Sequence, residues 1–258
     1  MAASSATGRG GKPGRVAEDV VKSIRFAAAL LVVVTAASAQ SVPDLSGIWS
    51  PSRARGADTP PPPSPLLLKP GYKERYDERR AKEREANARG EQLAQGPLCE
   101  PYGMPGMMQV AVYPMEVIQT PKQVTIIAEA FSEVRRIYIG KPQLPLDDID
   151  PGYYGHSVGH WEGDTLVVDT IGIKETVRGY QGMPHSEKMH ITERLRKTGP
   201  EALNDQITIE DPVVLEKPMT YTLVYRLSQN YEMVEFVCEN NREYVDEKGV
   251  VRMKLHDK

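Results

Sequence analysis

The chain has 258 residues, of which 40% are hydrophobic and 26% charged, room for one globular domain of ~200 residues plus tails. Its formal charge of −3 and pI near 6.0 argue against nucleic acid as a partner, and no basic stripe interleaved with aromatics appears. With 21 Gly, 21 Pro and 12 Tyr against 3 Phe, the composition is that of a turn-rich, strand-rich fold.

Lys22 and Arg25 form a short cationic stretch ahead of an almost continuous apolar run over residues 26–37, which ends in Ala37-Ser38-Ala39. A basic region, a short apolar region and an A-x-A end predict a secretory signal cleaved after Ala39, hence a periplasmic or secreted protein. The apolar run is too short to span a bilayer, so no membrane span is expected in the mature chain. Residues 1–19 lie upstream of that basic region, are rich in Gly, Ser and Arg, and place the expected start at Val20 or Val21.

Residues 40–97 read as a proline-rich linker and a charged helix, and residues 98–258 as an antiparallel β domain. Pro51 and the proline-rich run over 59–65 stop any long strand, and Pro60 to Pro63 is a polyproline II spacer. Residues 69–91 are dense in Lys, Arg and Glu. They predict either an exposed helix held by i,i+4 charge pairs, with Tyr72 and Tyr76 as its packing stripe, or a partly disordered linker. The loop over residues 98–108 carries Met104, Met107 and Met108, which either fill gaps in a core or line a ligand mouth.

Strands follow over residues 110–118, 124–130 and 134–139, then an acidic, solvated loop over 140–151. Two extended runs, 155–161 and 165–173, flank Glu162-Gly163-Asp164 and predict a tight antiparallel hairpin. Turn residues Glu162-Gly163 would set His156 opposite Asp169; turn residues Gly163-Asp164 would set it opposite Ile171, with Asp169 one diagonal step away. Either way His156, Val158, His160, Val167, Asp169 and Ile171 share one face, because side chains alternate. That face is apolar apart from the two imidazoles and the carboxylate, so it is expected to be the buried one. A buried Asp beside a His is either a structural pair or an acid/base pair.

Residues 187–196 form the next strand, with Met189, Ile191, Glu193 and Leu195 on its apolar face and His190 outward. An inward Glu193 needs a partner, a water or a raised pKa. His185 precedes this strand and is expected at the sheet rim. Strands over 203–209, 219–227 and 231–238 come next, with Leu203, Asp205, Ile207 and Ile209 on one face of the first, and the hydroxyls of Tyr221 and Tyr225 inward. A last hairpin is expected around residues 246–249. Cys99 and Cys238, in an exported chain, predict a disulfide closing a loop of ~140 residues, worth up to ~5 kcal/mol on the chain-entropy model; two separate buried thiols are the alternative.

Two resemblances add to this. Ser46-Gly47-Ile48-Trp49 resembles the G-x-W start of lipocalin-like barrels, which implies a closed barrel with the Trp plugging one end. The block HSVGHWEGDTLVVDT over 156–170, with Pro184-His185-Ser186-Glu187, Thr192-Glu193-Arg194, Asp211-Pro212 and Lys217-Pro218-Met219-Thr220, is similar to a large group of exported bacterial proteins. That likeness spans roughly residues 42–245 and implies a compartment and a β-rich fold, but no reaction.

The fold expected is therefore mainly β, an antiparallel meander closing into a lipocalin- or calycin-like barrel with one short charged helix. Its partner is a small apolar or aromatic molecule. As an enzyme it would run cofactor-free acid/base chemistry of the lyase, isomerase or hydrolase kind through His156, Asp169, His185 and Glu193, with Tyr154, Tyr221 and Tyr225 contacting substrate. As a carrier it would use the same groups to orient a ligand. Metal binding by His156, His160, His185 and Glu193 lacks a recognised ligand spacing, and no cofactor motif is present.

Overall fold

The computed structural model describes residues 42–52, 59–94, 99–109, 113–238 and 243–253. The expected signal segment and its cleavage point fall outside them. Nine strands close into a barrel in sequence order: β1 (Gly47–Ser52), β2 (Met115–Thr120), β3 (Gln123–Ala128), β4 (Glu133–Ile139), β5 (His156–Glu162), β6 (Thr165–Ile171), β7 (His190–Gly199), β8 (Ala202–Glu210) and β9 (Met219–Leu227), with β9 returning to β1. A separate hairpin pairs β10 (Glu243–Val245) with β11 (Val251–Met253), as the sequence suggested. The helix α1 runs Tyr72–Ala88. Residues 231–238 are described without strand pairing, so the strand expected there is absent.

Eight of the neighbouring pairs are antiparallel, and β4 with β5 is parallel. An odd number of strands cannot alternate direction all the way round a closed ring. At least one parallel pair is forced, and a parallel pair needs a crossover of a dozen or more residues. Residues 140–155 supply it. They cross the outer face of β5 and β6, where the Gln143 side-chain amide donates to the carbonyls of His156 (3.2 Å) and Asp169 (3.1 Å).

The two ends of the barrel differ. At one, β2–β3, β5–β6 and β7–β8 turn tightly at Pro121-Lys122, Gly163-Asp164 and Pro200-Glu201. At the other gather residues 99–109 and 113–114 and the connections 129–132, 172–189 and 211–218, and α1 packs there through Tyr72 and Tyr76. Trp49 is fully buried, and its indole N–H donates to the Leu45 carbonyl at 2.8 Å; with β1 paired to the last residues of β9, the ring fills the tight-turn end. Met104, Met107 and Met108 are buried in the core at the loop end, the gap-filling role that unbranched, polarizable side chains suit. Cys99 and Cys238 form a disulfide. On α1, Lys73–Asp77, Glu78–Lys82 and Arg79–Glu83 are i,i+4 pairs, and Arg75 and Arg79 lie over Tyr72 and Tyr76.

Candidate functional site

Inside the barrel, five consecutive strands each contribute one polar side chain: Arg135 from β4, Ser157 from β5, Thr170 from β6, Glu193 from β7 and Asp205 from β8, all essentially inaccessible. The Arg135 guanidinium donates from Nη1 to Glu193 Oε1 at 2.8 Å and from Nη2 to Glu193 Oε2, a two-pronged ion pair, and also to Ser157 Oγ (3.2 Å) and Thr170 Oγ1 (2.9 Å). Glu193 thus points inward as its alternation with Ile191 and Leu195 required, and its charge is met by a fixed cation. Neither Asp205 oxygen has a hydrogen-bond partner among the described residues. Burial, followed by the nearby Glu193 carboxylate, holds the Asp205 carboxyl well above the usual range; Arg135 opposes in part.

His156 and Asp169 are not part of this interior. The hairpin turns at Gly163-Asp164, which sets His156 opposite Ile171 and Val158 opposite Asp169. The face carrying His156, His160 and Asp169 looks outward, and Ser157, Gly159, Leu166, Val168 and Thr170 line the inside. The expected facing is overturned because both faces of the hairpin are apolar: with the crossover on the outside, outward Val158 and Val167 are still only 7% exposed. Alternation alone cannot then tell inside from outside.

On that outer face Asp169 does have a histidine, but it is His190, bound through Nε2 to Asp169 Oδ1, with Glu210 Oε2 3.5 Å from the other ring nitrogen. Gln143 stands between Asp169 and His156: its amide N–H donates to Asp169 Oδ2 at 3.1 Å and its Oε1 is 2.6 Å from His156 Nδ1. The hydrogen bond from His190 keeps Asp169 below the usual carboxylate range, and the same bond raises His190. Burial first, then Lys141, lowers His156. His160 is exposed beside Glu162 at the tight-turn end. The four groups considered for metal binding are therefore scattered, and among the described residues no cluster of three or more His, Cys, Asp or Glu could hold an ion.

At the loop end His185 is buried, with Nε2 2.7 Å from the Val177 carbonyl and Nδ1 3.1 Å from the Ser186 carbonyl. It ties the β6–β7 connection to itself. Asp211 clasps the same connection by accepting from Ser186 N (2.6 Å) and Oγ (3.0 Å). Glu133 accepts from the backbone N–H of Tyr102 and, at 3.1 Å, of Gly103; burial pushes its carboxyl up to about 7, against the pull of those two donors. The Tyr154 phenol neighbours Glu133 and is raised by burial and then by that carboxyl. Tyr225 donates to the Met108 carbonyl at 2.6 Å, and Tyr221 accepts from the Gln109 amide; burial raises both phenols. Of the predicted site residues, only Glu193, Tyr221 and Tyr225 share the interior.

A groove lies between α1 and this end. One hollow, of about 310 Å³, is lined by Leu66, Leu68, Tyr76, Tyr180 and Met219; a second, of about 370 Å³, by Arg80, Tyr102, Gln109, Arg178 and Gly179. Gln181 lines both, so they meet at that residue. Tyr180 stacks on Tyr221 with centroids 4.2 Å apart, which fixes the groove wall to the barrel. Gln181 is held at φ 50, a left-handed conformation that non-glycine residues adopt at a cost of order 1–3 kcal/mol and that clusters at functional loops. Gly182 next to it sits at φ 74, where an L side chain is strained, and Arg79 donates to its carbonyl.

Arg135, Arg178, Glu133, Gln143 and Asp205 are candidate-site residues that the sequence pattern does not single out. Arg135 carried a signal, since in Val134-Arg135-Arg136-Ile137 one of two adjacent arginines must share a face with Ile137. Arg178 and Gln143 sit in loops, where no period applies. Comparison with models of known protein families and with curated proteins returns no match. Among the described residues no helix is long and apolar enough to cross a membrane.

Proposed function

We propose that the chain is an exported, non-catalytic β-barrel protein that binds a small apolar or aromatic molecule in the groove between α1 and the loop end of the barrel. The observation that carries this is the groove itself: two adjoining hollows walled by Tyr76, Tyr180 and Tyr102, with aliphatic floor residues Leu66, Leu68 and Met219. Clefts of a few hundred Å³ that combine apolar surface with placed polar groups are the usual form of a small-ligand site, and here Ser64, Gln109 and Gln181 accompany the leucines and tyrosines. Export is supported by the A-x-A end at Ala39 and by the Cys99–Cys238 disulfide, a bond that persists in oxidising compartments.

The arrangement of titratable groups favours binding over acid/base turnover. A general base must reach the proton it abstracts. Glu193 is neutralised by Arg135, both His185 nitrogens face carbonyls, and His156 and Asp169 are on the outer wall behind Gln143. The test is titration with the neutral fluorophore N-phenyl-1-naphthylamine. Saturable one-to-one binding, weakened at least tenfold by Tyr180→Ala and by Tyr76→Ala, is the expected result. Absence of saturable binding, or binding indifferent to both substitutions, overturns the reading.

A further inference from the structure

We propose that the ligand of this groove is an amphipathic acid: an apolar or aromatic body seated by Tyr76 and Tyr180, and a carboxylate docked on Arg178. This rests on the groove being the binding site and adds the chemistry of what it takes.

The two hollows on either side of Gln181 differ in character. The first offers leucine, methionine and tyrosine surface, and its charged rim residues, Lys73 and Asp77, are paired with each other. The second is cationic. Arg80 and Arg178 line it, and Arg79 stands against its Gly182 edge. One carboxylate, Glu83, serves both Arg79 and Arg80, each at 2.6 Å. Three guanidinium groups against one carboxylate, Glu83, which pairs with two of them, make this side of the groove cationic, in a chain whose formal charge is −3.

Arg178 is the group with spare capacity. Arg79, Arg80, Arg135, Arg194 and Arg196 each have a carboxylate within hydrogen-bonding distance. Among the described residues, none lies within that distance of Arg178. It is half-buried, on a loop fixed at three points: Tyr180 stacks on Tyr221, Arg79 holds the Gly182 carbonyl, and the Gly179 backbone packs so closely on Met183 that an added Cβ would meet that carbonyl at 2.4 Å. A planar fork of donors on a pre-set loop is the arrangement that takes a carboxylate in two parallel hydrogen bonds. Two carboxylates of this end are already engaged: Glu83 by its two arginines, and Glu133 by the Tyr102 and Gly103 amides.

The experiment pairs ω-phenylalkanoates bearing two to six methylene groups with their primary amides, which match them in shape without the charge. Affinities are measured by calorimetry on the intact oxidised chain and on the variants Arg178→Gln, Arg178→Lys and, as a charge control on the outer barrel wall, Arg136→Gln. The expected result is a roughly 10- to 100-fold preference for the acid over its amide, the range for a hydrogen bond to a charged group. Arg178→Gln should reduce that preference below about threefold by weakening the acid far more than the amide, Arg178→Lys should keep part of it, and Arg136→Gln should keep all of it. Equal affinity for acid and amide, or a preference that survives Arg178→Gln, overturns the anionic head while leaving the groove reading in place. So does failure of both acids and amides to bind while N-phenyl-1-naphthylamine still binds. Failure of all three classes of probe overturns the groove reading and this inference with it.

Discussion

The ion pair at the centre of the barrel makes a quantitative test of how the interior is built. Replacing Glu193 by Leu leaves the Arg135 guanidinium, at 1% side-chain exposure, with the Ser157 and Thr170 hydroxyls as its hydrogen-bond partners. Removing one member of a buried pair costs about 3–5 kcal/mol, because the other charge stays desolvated. Arg135→Met strands the Glu193 carboxylate beside Asp205 and should cost a similar amount. The double variant Arg135→Met/Glu193→Leu removes both charges. Its remaining loss is the two hydroxyl hydrogen bonds, about 1 kcal/mol each, and Ser157 and Thr170 still bond each other at 2.9 Å. The double variant should therefore lose under about 2 kcal/mol, giving a coupling energy of at least about 4 kcal/mol. Urea unfolding at pH 7, followed by tryptophan fluorescence and by far-UV circular dichroism, measures all four corners of the cycle, and coincidence of the two probes checks two-state behaviour. A coupling below about 1 kcal/mol, or a Glu193→Leu cost below about 1 kcal/mol, would refute the assignment of Glu193 as a structurally neutralised charge.

Other outcomes follow from the titrating groups and the covalent link. Glu133 is pushed up to about 7, so between 4.5 and 7 the folded chain keeps a proton that the unfolded chain has released, and stability falls as pH rises through that window. Glu133→Gln should flatten this fall, which amounts to up to about 3 kcal/mol; urea midpoints at pH 4.5 and pH 8 that keep the parent's slope contradict it. Proton NMR should find His190 titrating above the ordinary 6.5 and His156 below it, with Asp169→Asn returning His190 toward 6.5; the reverse order of the two histidines refutes the outer-wall assignment. The stability that His190 gains from Asp169 is present below pH 6.5 and is lost as pH rises through the raised His190 value. Finally, Cys99 and Cys238 are 139 residues apart, so Cys99→Ser/Cys238→Ser should lower stability by up to about 5 kcal/mol, and an unchanged urea midpoint with and without reductant counts against it.

How far the fold could be read from the sequence depended on which physical rule each element obeyed. Where one face of a strand is buried and the other wet, alternation decides the matter, and β7, β8 and β9 present Glu193, Asp205, Tyr221 and Tyr225 inward as that rule requires. Where both faces are covered it decides nothing, and β5–β6 faces opposite to the expectation for that reason. The cover itself follows from closure. Nine strands in a ring force one parallel pair, that pair forces a crossover, and the crossover places Gln143 on the outer wall, where it separates His156 from Asp169. Strand count is a global property that no local window contains, so the one hairpin whose chemistry looked clearest was the one that local reasoning could not orient. The groove was hidden for a related reason: α1, residues 178–182 and the barrel end come from three separate stretches, and none of them announces the other two. Arg178 gains meaning only once the neighbouring arginines are seen to share a single carboxylate.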